Sequence, residues 1–202
     1  MRWPGVLVLC CALPAHAAVD ASVLSKIDAA ARSTKTLSAE FTQKNRMKLF
    51  KQELASKGRL YFRAPRQIRW EYTSPDPSLM ILDGTKATMS SPGTEAQVFD
   101  LDKDTTMRAI FDQLLTFVGG GSIASFEADY TIESQGSDKA PELVLTPRAT
   151  SAVDKAFTRI ELGFDGKSQV RKIVLREKNG DEKVIDFAKV ERNGKIPADA
   201  FR

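Results

Sequence analysis

The chain has 202 residues, 42% of them hydrophobic and 28% charged, a balance that suits one globular domain with a sizeable core. Its formal net charge is +4, falling to +3 without the stretch that carries Arg2, and so mild an excess leaves no nucleic-acid footprint. Both cysteines (Cys10, Cys11) and the only histidine (His16) lie near the start, so a chain beginning at Ala18 has no disulfide, no Cys-His or Ser-His-Asp nucleophile, and no zinc or copper site of thiolate or imidazole.

That start reads as a secretory signal. Arg2 supplies the positive region, Val6 to Leu13 the apolar core, and Ala15-His16-Ala17 the small-x-small cleavage site. The apolar run falls short of the ~20 residues a bilayer span requires, and Cys11 sits inside it instead of directly after a cleavage site, which argues against a lipid anchor. The expectation is a leader at 1–17 and a single periplasmic domain at 18–202.

Asp20-Ala21-Ser22 can cap a helix whose apolar positions are Val23, Leu24, Ile27, Ala30 and Ala31. From Leu37 the period changes to two, with Leu37, Ala39 and Phe41 alternating with polar neighbours as in a half-buried strand. Further strands are predicted at 53–62, 67–72, 79–82, 85–90 and 95–101. A second helix runs from Thr105 to Val118, capped by Asp104 or Thr105, with Met107, Ile110, Phe111, Leu114, Phe117 and Val118 on its apolar side and Gly119-Gly120-Gly121 as its stop. The last strands are predicted at 126–133, 142–146, 157–164, 170–177 and 182–190, with loose stretches at 134–140 and 149–155. Asp83-Gly84, Asp165-Gly166, Asn179-Gly180 and Asn193-Gly194 are hairpin dipeptides and favour antiparallel neighbours. A sheet this large curls and encloses a hollow. Ile68, Trp70 and Tyr72 share one of its faces, as do Ile160, Leu162 and Phe164.

An enzyme without histidine or cysteine must work with carboxylates, lysines, serines or a hard metal. Asp100, Asp102 and Asp104 begin like a calcium loop, but Thr105 and Phe111 stand where that loop needs glycine and glutamate, so these acids read as a helix-start turn and no metal is expected. Glu71 with Asp76 or Asp83 has no spacing that selects a glycosidase pair. The row Arg59, Arg63, Arg66 and Arg69, with Tyr61, Phe62 and Trp70 between, reads as an outer face over core aromatics, with lipid head groups a better partner for it than nucleic acid.

In order along the chain come Phe41-Thr42-Gln43, Gly58-Arg59-Leu60, the run from Ala64 to Asp76, Leu82-Asp83-Gly84, Leu143 to Arg148, Glu161 to Asp165, and Ile196 to Phe201. Together they resemble the LolA family of periplasmic carriers of outer-membrane lipoproteins, over nearly all of 18–202. The resemblance implies an unclosed antiparallel barrel lidded by short helices, with no cofactor and no catalytic residue. It implies a monomer that takes lipoprotein or lipid cargo from an inner-membrane exporter to an outer-membrane acceptor, with transient membrane contact.

Residues expected to line the hollow are Phe41, Leu60, Phe62, Ile68, Trp70, Tyr72, Ile160, Leu162 and Phe164. Those expected in the lid are Val23, Leu24 and Ile27 on the first helix and Met107, Ile110, Phe111 and Leu114 on the second. Where the family has an arginine that latches the lid, just before the proline of its motif, this chain has Ala64 before Pro65. Arg66 is the latch candidate ahead of Arg63, because it shares the face of Ile68 and Trp70. This departure, with an ending at Arg202 directly after Phe201, points to a specialised relative for a glycolipid or lipid-linked pigment. A lipocalin-like binder, which a closed barrel would favour, and a carboxylate hydrolase are the alternatives.

Overall fold

The computed structural model describes residues 20–49, 52–119 and 121–202; the expected leader, with Cys10, Cys11, His16 and the start at Ala18, lies outside the described residues, as does Gly120. Helix α1 spans Ala21–Ser33 and is capped by Asp20, whose carboxylate accepts from the Ser22 N–H at 2.8 Å. Six strands follow: β1 (Thr36–Met47), β2 (Gln52–Arg63), β3 (Gln67–Ser74), β4 (Ser78–Asp83), β5 (Lys86–Ser90) and β6 (Gln97–Asp100). Helix α2 spans Thr105–Phe117 under an Asp104 cap that accepts from the Met107 N–H at 2.9 Å. Then come β7 (Tyr130–Ser137), β8 (Ala140–Pro147), β9 (Phe157–Phe164), β10 (Val170–Glu177) and β11 (Glu182–Arg192).

The strands form one antiparallel sheet in the order β6-β5-β4-β3-β2-β1-β11-β10-β9-β8-β7. Two meanders, β1 to β6 and β7 to β11, are joined along β1 and β11, so the sheet's free edges are β6 and β7. These edges do not pair, and the barrel is unclosed. The chain between them has to cross the open side, which lays α2 over the concave face.

Several local expectations are corrected. Residues 126–128 belong to a 3₁₀ helix, Ile123–Ala128, and not to a strand. The stretch 134–140 is the paired end of the β7–β8 hairpin, with Gly136 at φ +87; its residues are polar, so no hydrophobic alternation marked it. Within 149–155, Ser151 caps a 3₁₀ helix at Ala152–Lys155. Asn193-Gly194 turns no hairpin: it ends β11, and the Asn193 side-chain oxygen accepts from the Lys35 N–H at 2.7 Å, tying that end to the start of β1. In the β9–β10 loop the positive φ falls on Ser168 and not on Gly166.

Alternation places Leu37, Ala39 and Phe41 of β1, Leu60 and Phe62 of β2, and Ile68 and Trp70 of β3 on the concave face, all buried. Gly58 is fixed by this packing. A Cβ there would lie 2.1 Å from the Glu71 carbonyl oxygen and 2.3 Å from Cζ of Phe41, so the Phe41 ring occupies the space a side chain would need.

Candidate functional site

Two cavities open between the concave face and α2. The inner one, about 700 Å³, is walled by Phe157, Ile160, Ile173 and Val153 and roofed by Ala109, Ile110, Gln113 and Phe117. The outer one, about 600 Å³, is a mouth with a more polar wall, including Gln43, Tyr72, Ser78, Ser90, Thr94 and Lys183 beside Leu79 and Met80. Trp70, Leu114, Leu175 and Ile185 border both, so the two are chambers of one hollow, apolar within and more polar at its opening.

Of the nine residues expected to line this hollow, Trp70, Tyr72 and Ile160 border a chamber. Phe41 stands behind the wall, its ring 4.7 Å from that of Trp70 and 5.3 Å from that of Tyr72. Leu60, Phe62, Ile68 and Leu162 share the concave face but are fully buried in the core and border neither chamber. Phe164 borders a separate cavity of about 30 Å³ beneath α1, with Ile27 and Val118.

The lid residues divide by helix. On α2, Leu114 and Ile110 border the hollow, Ile110 being 53% exposed, while Phe111 is buried and Met107 packs partly against the core. On α1, Ile27 is buried and Val23 and Leu24 pack on the core, but none of the three borders a chamber. Instead α1 is bolted to the chain that follows α2, for Asp28 accepts from the Ile123 N–H at 2.8 Å and from the Ser122 hydroxyl at 3.0 Å.

Arg66 reaches from the β2–β3 turn to the roof. Its Nη1 lies 2.7 Å from Oδ1 of Asp112 on α2, an ion pair out of line for a good hydrogen bond, and its Nε donates to the Gly84 carbonyl at 3.2 Å. A second tie joins the Gln113 amide to the Tyr130 hydroxyl of β7. Burial pushes the Tyr130 phenol up to about 12, against the opposing pull of Gln113.

Arg63 faces the other way. Its guanidinium stacks 4.8 Å from the Phe201 ring centre, and Arg69 donates to the Ala200 carbonyl at 3.4 Å, so these two cations hold the closing segment against the convex face instead of offering themselves to head groups. Glu71 is on that convex side, paired with Arg69 at 3.3 Å, and Asp83 accepts from Gln67 four ladder steps away. These acids therefore do not face each other across the hollow as a hydrolytic pair. Asp100 pairs with Lys103, Asp102 with Arg108, and Asp104 caps α2, so all three are engaged by their own turn and helix.

Some of the wall escaped the sequence reading. Val153 lies within the 3₁₀ helix, in a stretch expected to be loose, and Phe157 opens β9, a strand that was expected but not read as wall. Ile185 and Phe187 alternate in β11, and this was the available signal; Phe187 stands edge-on to Trp70 at 6.0 Å. Among the described residues no helix is long and apolar enough to cross a membrane.

The family described as "Outer membrane lipoprotein carrier protein LolA" has a model that matches residues 32–202. An outer-membrane lipoprotein carrier protein of Dechloromonas aromatica (strain RCB) is 30% identical over 172 residues, which cover 85% of this chain and 78% of that one. Among solved structures, a chain of the Pseudomonas aeruginosa MucA/MucB complex superposes at TM-score 0.53 with 15% identity, over 90% of this chain and 59% of that one. The Mycobacterium tuberculosis lipoprotein LppX superposes at TM-score 0.50 with 11% identity, over 88% and 98%. At such identities the two structures speak for the fold alone.

Proposed function

The chain belongs to the LolA family of outer membrane lipoprotein carrier proteins, and on that footing we propose that it shelters the acyl chains of a lipoprotein, or of another acylated lipid, beneath α2 and ferries them through the periplasm from the inner to the outer membrane. The observation that carries this reading is the hollow itself: an inner chamber of about 700 Å³ with an aliphatic and aromatic wall, continuous with a mouth of more mixed lining. Burying an acyl chain is worth about 0.8 kcal/mol per CH₂, so a 16-carbon chain holds its cargo to a membrane by on the order of 12 kcal/mol. A diffusing carrier must offer a comparable surface and cover it when empty.

In this reading α2 is the moving lid and α1 the fixed base, with Arg66–Asp112 as the latch in place of the arginine that Ala64 lacks. Cargo arrives from an inner-membrane exporter and leaves to an outer-membrane acceptor, without catalysis. The unpaired edges β6 and β7 count against a closed, lipocalin-like barrel. Ala64 at the latch position favours a specialised relative, whose cargo would be a glycolipid or lipid-linked pigment.

The test is to secrete the whole chain into the periplasm, purify it without detergent, and identify co-purifying molecules by mass spectrometry, with Leu114→Glu as the impaired control. A triacylated lipoprotein that is lost in the variant supports the general carrier, and a glycolipid or pigment supports the specialised one. Folded protein that carries nothing apolar and takes up no fluorescent fatty acid removes the carrier reading.

A further inference from the structure

The rim of the hollow is uneven. The β2–β3 pairing ends where Lys57 meets Ser74, and residues 52–56 run on without a β3 partner. At ~3.4 Å per residue the β1–β2 hairpin therefore overhangs the end of β3 by roughly 17 Å. It rises from the mouth itself, since Gln43 borders the mouth and β1 continues to Met47. On its other flank the tip is steadied by the β10–β11 turn, where the Asp181 carboxylate accepts from the Lys48 N–H at 2.9 Å.

This overhang carries apolar side chains that the fold does not bury. Leu49, in the turn, is 83% exposed and Leu54 43%, the first being the most exposed large hydrophobic residue among those described. Leu54 stands opposite Asn45, and alternation puts it with Met47 on the face of Phe41 and Gln43, so the two continue the concave face outward from the mouth. The other hairpin turns at this end, 74–78, 91–96 and 178–181, hold no large apolar side chain. A lone exposed leucine would ask no explanation, but two on one tip, beside an apolar hollow, mark a contact surface.

The charges around the tip define what it meets. Between positions 44 and 57 the described residues hold Lys44, Arg46, Lys48 and Lys57 against Glu53 alone. Lys44 and Arg46 share Glu53, and Arg46 also reaches Glu182, while Lys48 has no acidic partner among the described residues. Asp76 and Glu95 belong to turns that close nearer the sheet, at the levels of Lys57 and Arg59. Exposed leucines with a local excess of cations suit the interface of an anionic bilayer, where apolar groups enter the acyl boundary and ammonium groups stay at the phosphates.

We propose that the β1–β2 tip is a membrane-docking lip: Leu49 and Leu54 enter the interface of an anionic bilayer, Lys48 meets its phosphates, and the mouth is held against the surface. This goes beyond the carrier reading, which needs only the hollow.

The test is flotation of the secreted protein with vesicles of phosphatidylcholine and phosphatidylglycerol in equal parts, against vesicles of phosphatidylcholine alone. The wild type should bind the anionic vesicles about tenfold more tightly. Replacing both leucines, Leu49→Ser with Leu54→Ser, should weaken that binding by about tenfold, and Lys48→Gln by about fivefold. Val98→Ser, which removes a 58% exposed apolar side chain from β6, should leave it unchanged. These side chains are exposed, so the variants should keep the wild-type circular dichroism. A second measurement uses the position of both cysteines, Cys10 and Cys11, in the expected leader, which makes a cysteine introduced further on the single thiol of the secreted protein. Labelled with an environment-sensitive fluorophore, Leu49→Cys should shift its emission to shorter wavelength on the anionic vesicles, and Val98→Cys should not. A wild type that does not float, equal binding to the two vesicles, binding undiminished in the leucine pair or in Lys48→Gln, or an emission shift absent at position 49 or shared with position 98 would overturn the proposal while leaving the carrier reading intact. A protein that docks by its tip yet carries no lipid would remove the carrier reading alone.

Discussion

Helices α1 and α2 are each 13 residues long, each starts at an aspartate cap, and each turns an apolar face to the same sheet, yet they cover different things. Beneath α1, Ile27, Ala30 and Ala31 close on Phe164, Val170 and Val118 with a void of only about 30 Å³, room for a water or two. Beneath α2 the same kind of face looks into about 700 Å³. The lesson is that an amphipathic helix reveals that it has an inside, but not whether that inside is filled. The attachments differ as well. Two hydrogen bonds accepted by Asp28 fix α1 to its neighbour, while α2 is held from the sheet by an ion pair and one amide contact.

The comparison breaks most directly under truncation. Phe164→Ala under α1 should lower stability by about 3–5 kcal/mol, since it opens a cavity in packed surroundings. Leu175→Ala in the hollow should lower it by less than about 1 kcal/mol, because much of that side chain faces space and has few contacts to lose. Urea unfolding of both variants decides the matter, and equal losses would mean that the hollow is packed like the base. Next in size is Asp28→Ala, which strands two donors and should reduce stability by about 1–2 kcal/mol. In the same unfolding experiment the loss should be accompanied by faster hydrogen exchange through α1 and residues 122–128.

Arg66→Ala should be milder. Its ion pair is 30% and 46% exposed on the two sides, so the expected loss is about 0.5 kcal/mol. Hydrogen exchange should nevertheless quicken in α2 and not in α1. An equal response from both helices would remove the latch.

The last effect is one of pH. Since folding raises the Tyr130 phenol from 10.0 to about 12, its contribution is complete below pH 10 and is lost as pH climbs through the folded value. Tyr130→Phe should therefore flatten the stability profile between about pH 10 and 12, on top of a loss of about 1 kcal/mol at neutral pH from the Gln113 contact. Thermal melts across that range would show it.

The strands were legible because one face of a curled sheet is dry and the other wet, and a period of two records that directly in residues such as Leu37, Ala39 and Phe41. Both helices were legible through caps and spacing. The β7–β8 hairpin end was missed because residues 134–140 are polar on both faces, and Asn193-Gly194 misled because a dipeptide that permits positive φ does not choose between turning a hairpin and ending a strand.

By itself, then, the sequence determined the architecture, the inward face of each main strand, the absence of histidine and cysteine from Ala18 onward, and the family. Only the tertiary structure decided that Trp70, Tyr72 and Ile160 border a void while Leu60, Phe62, Ile68 and Leu162 are sealed, and that Arg66 meets Asp112 whereas Arg63 meets Phe201. The physical reason is one of range. Facing inward is settled by alternation between neighbours in the chain, but a void is the distance between a sheet and its roof, fixed by pairings such as that of β1 with β11, more than a hundred positions apart, and by attachments such as Arg66 to Asp112.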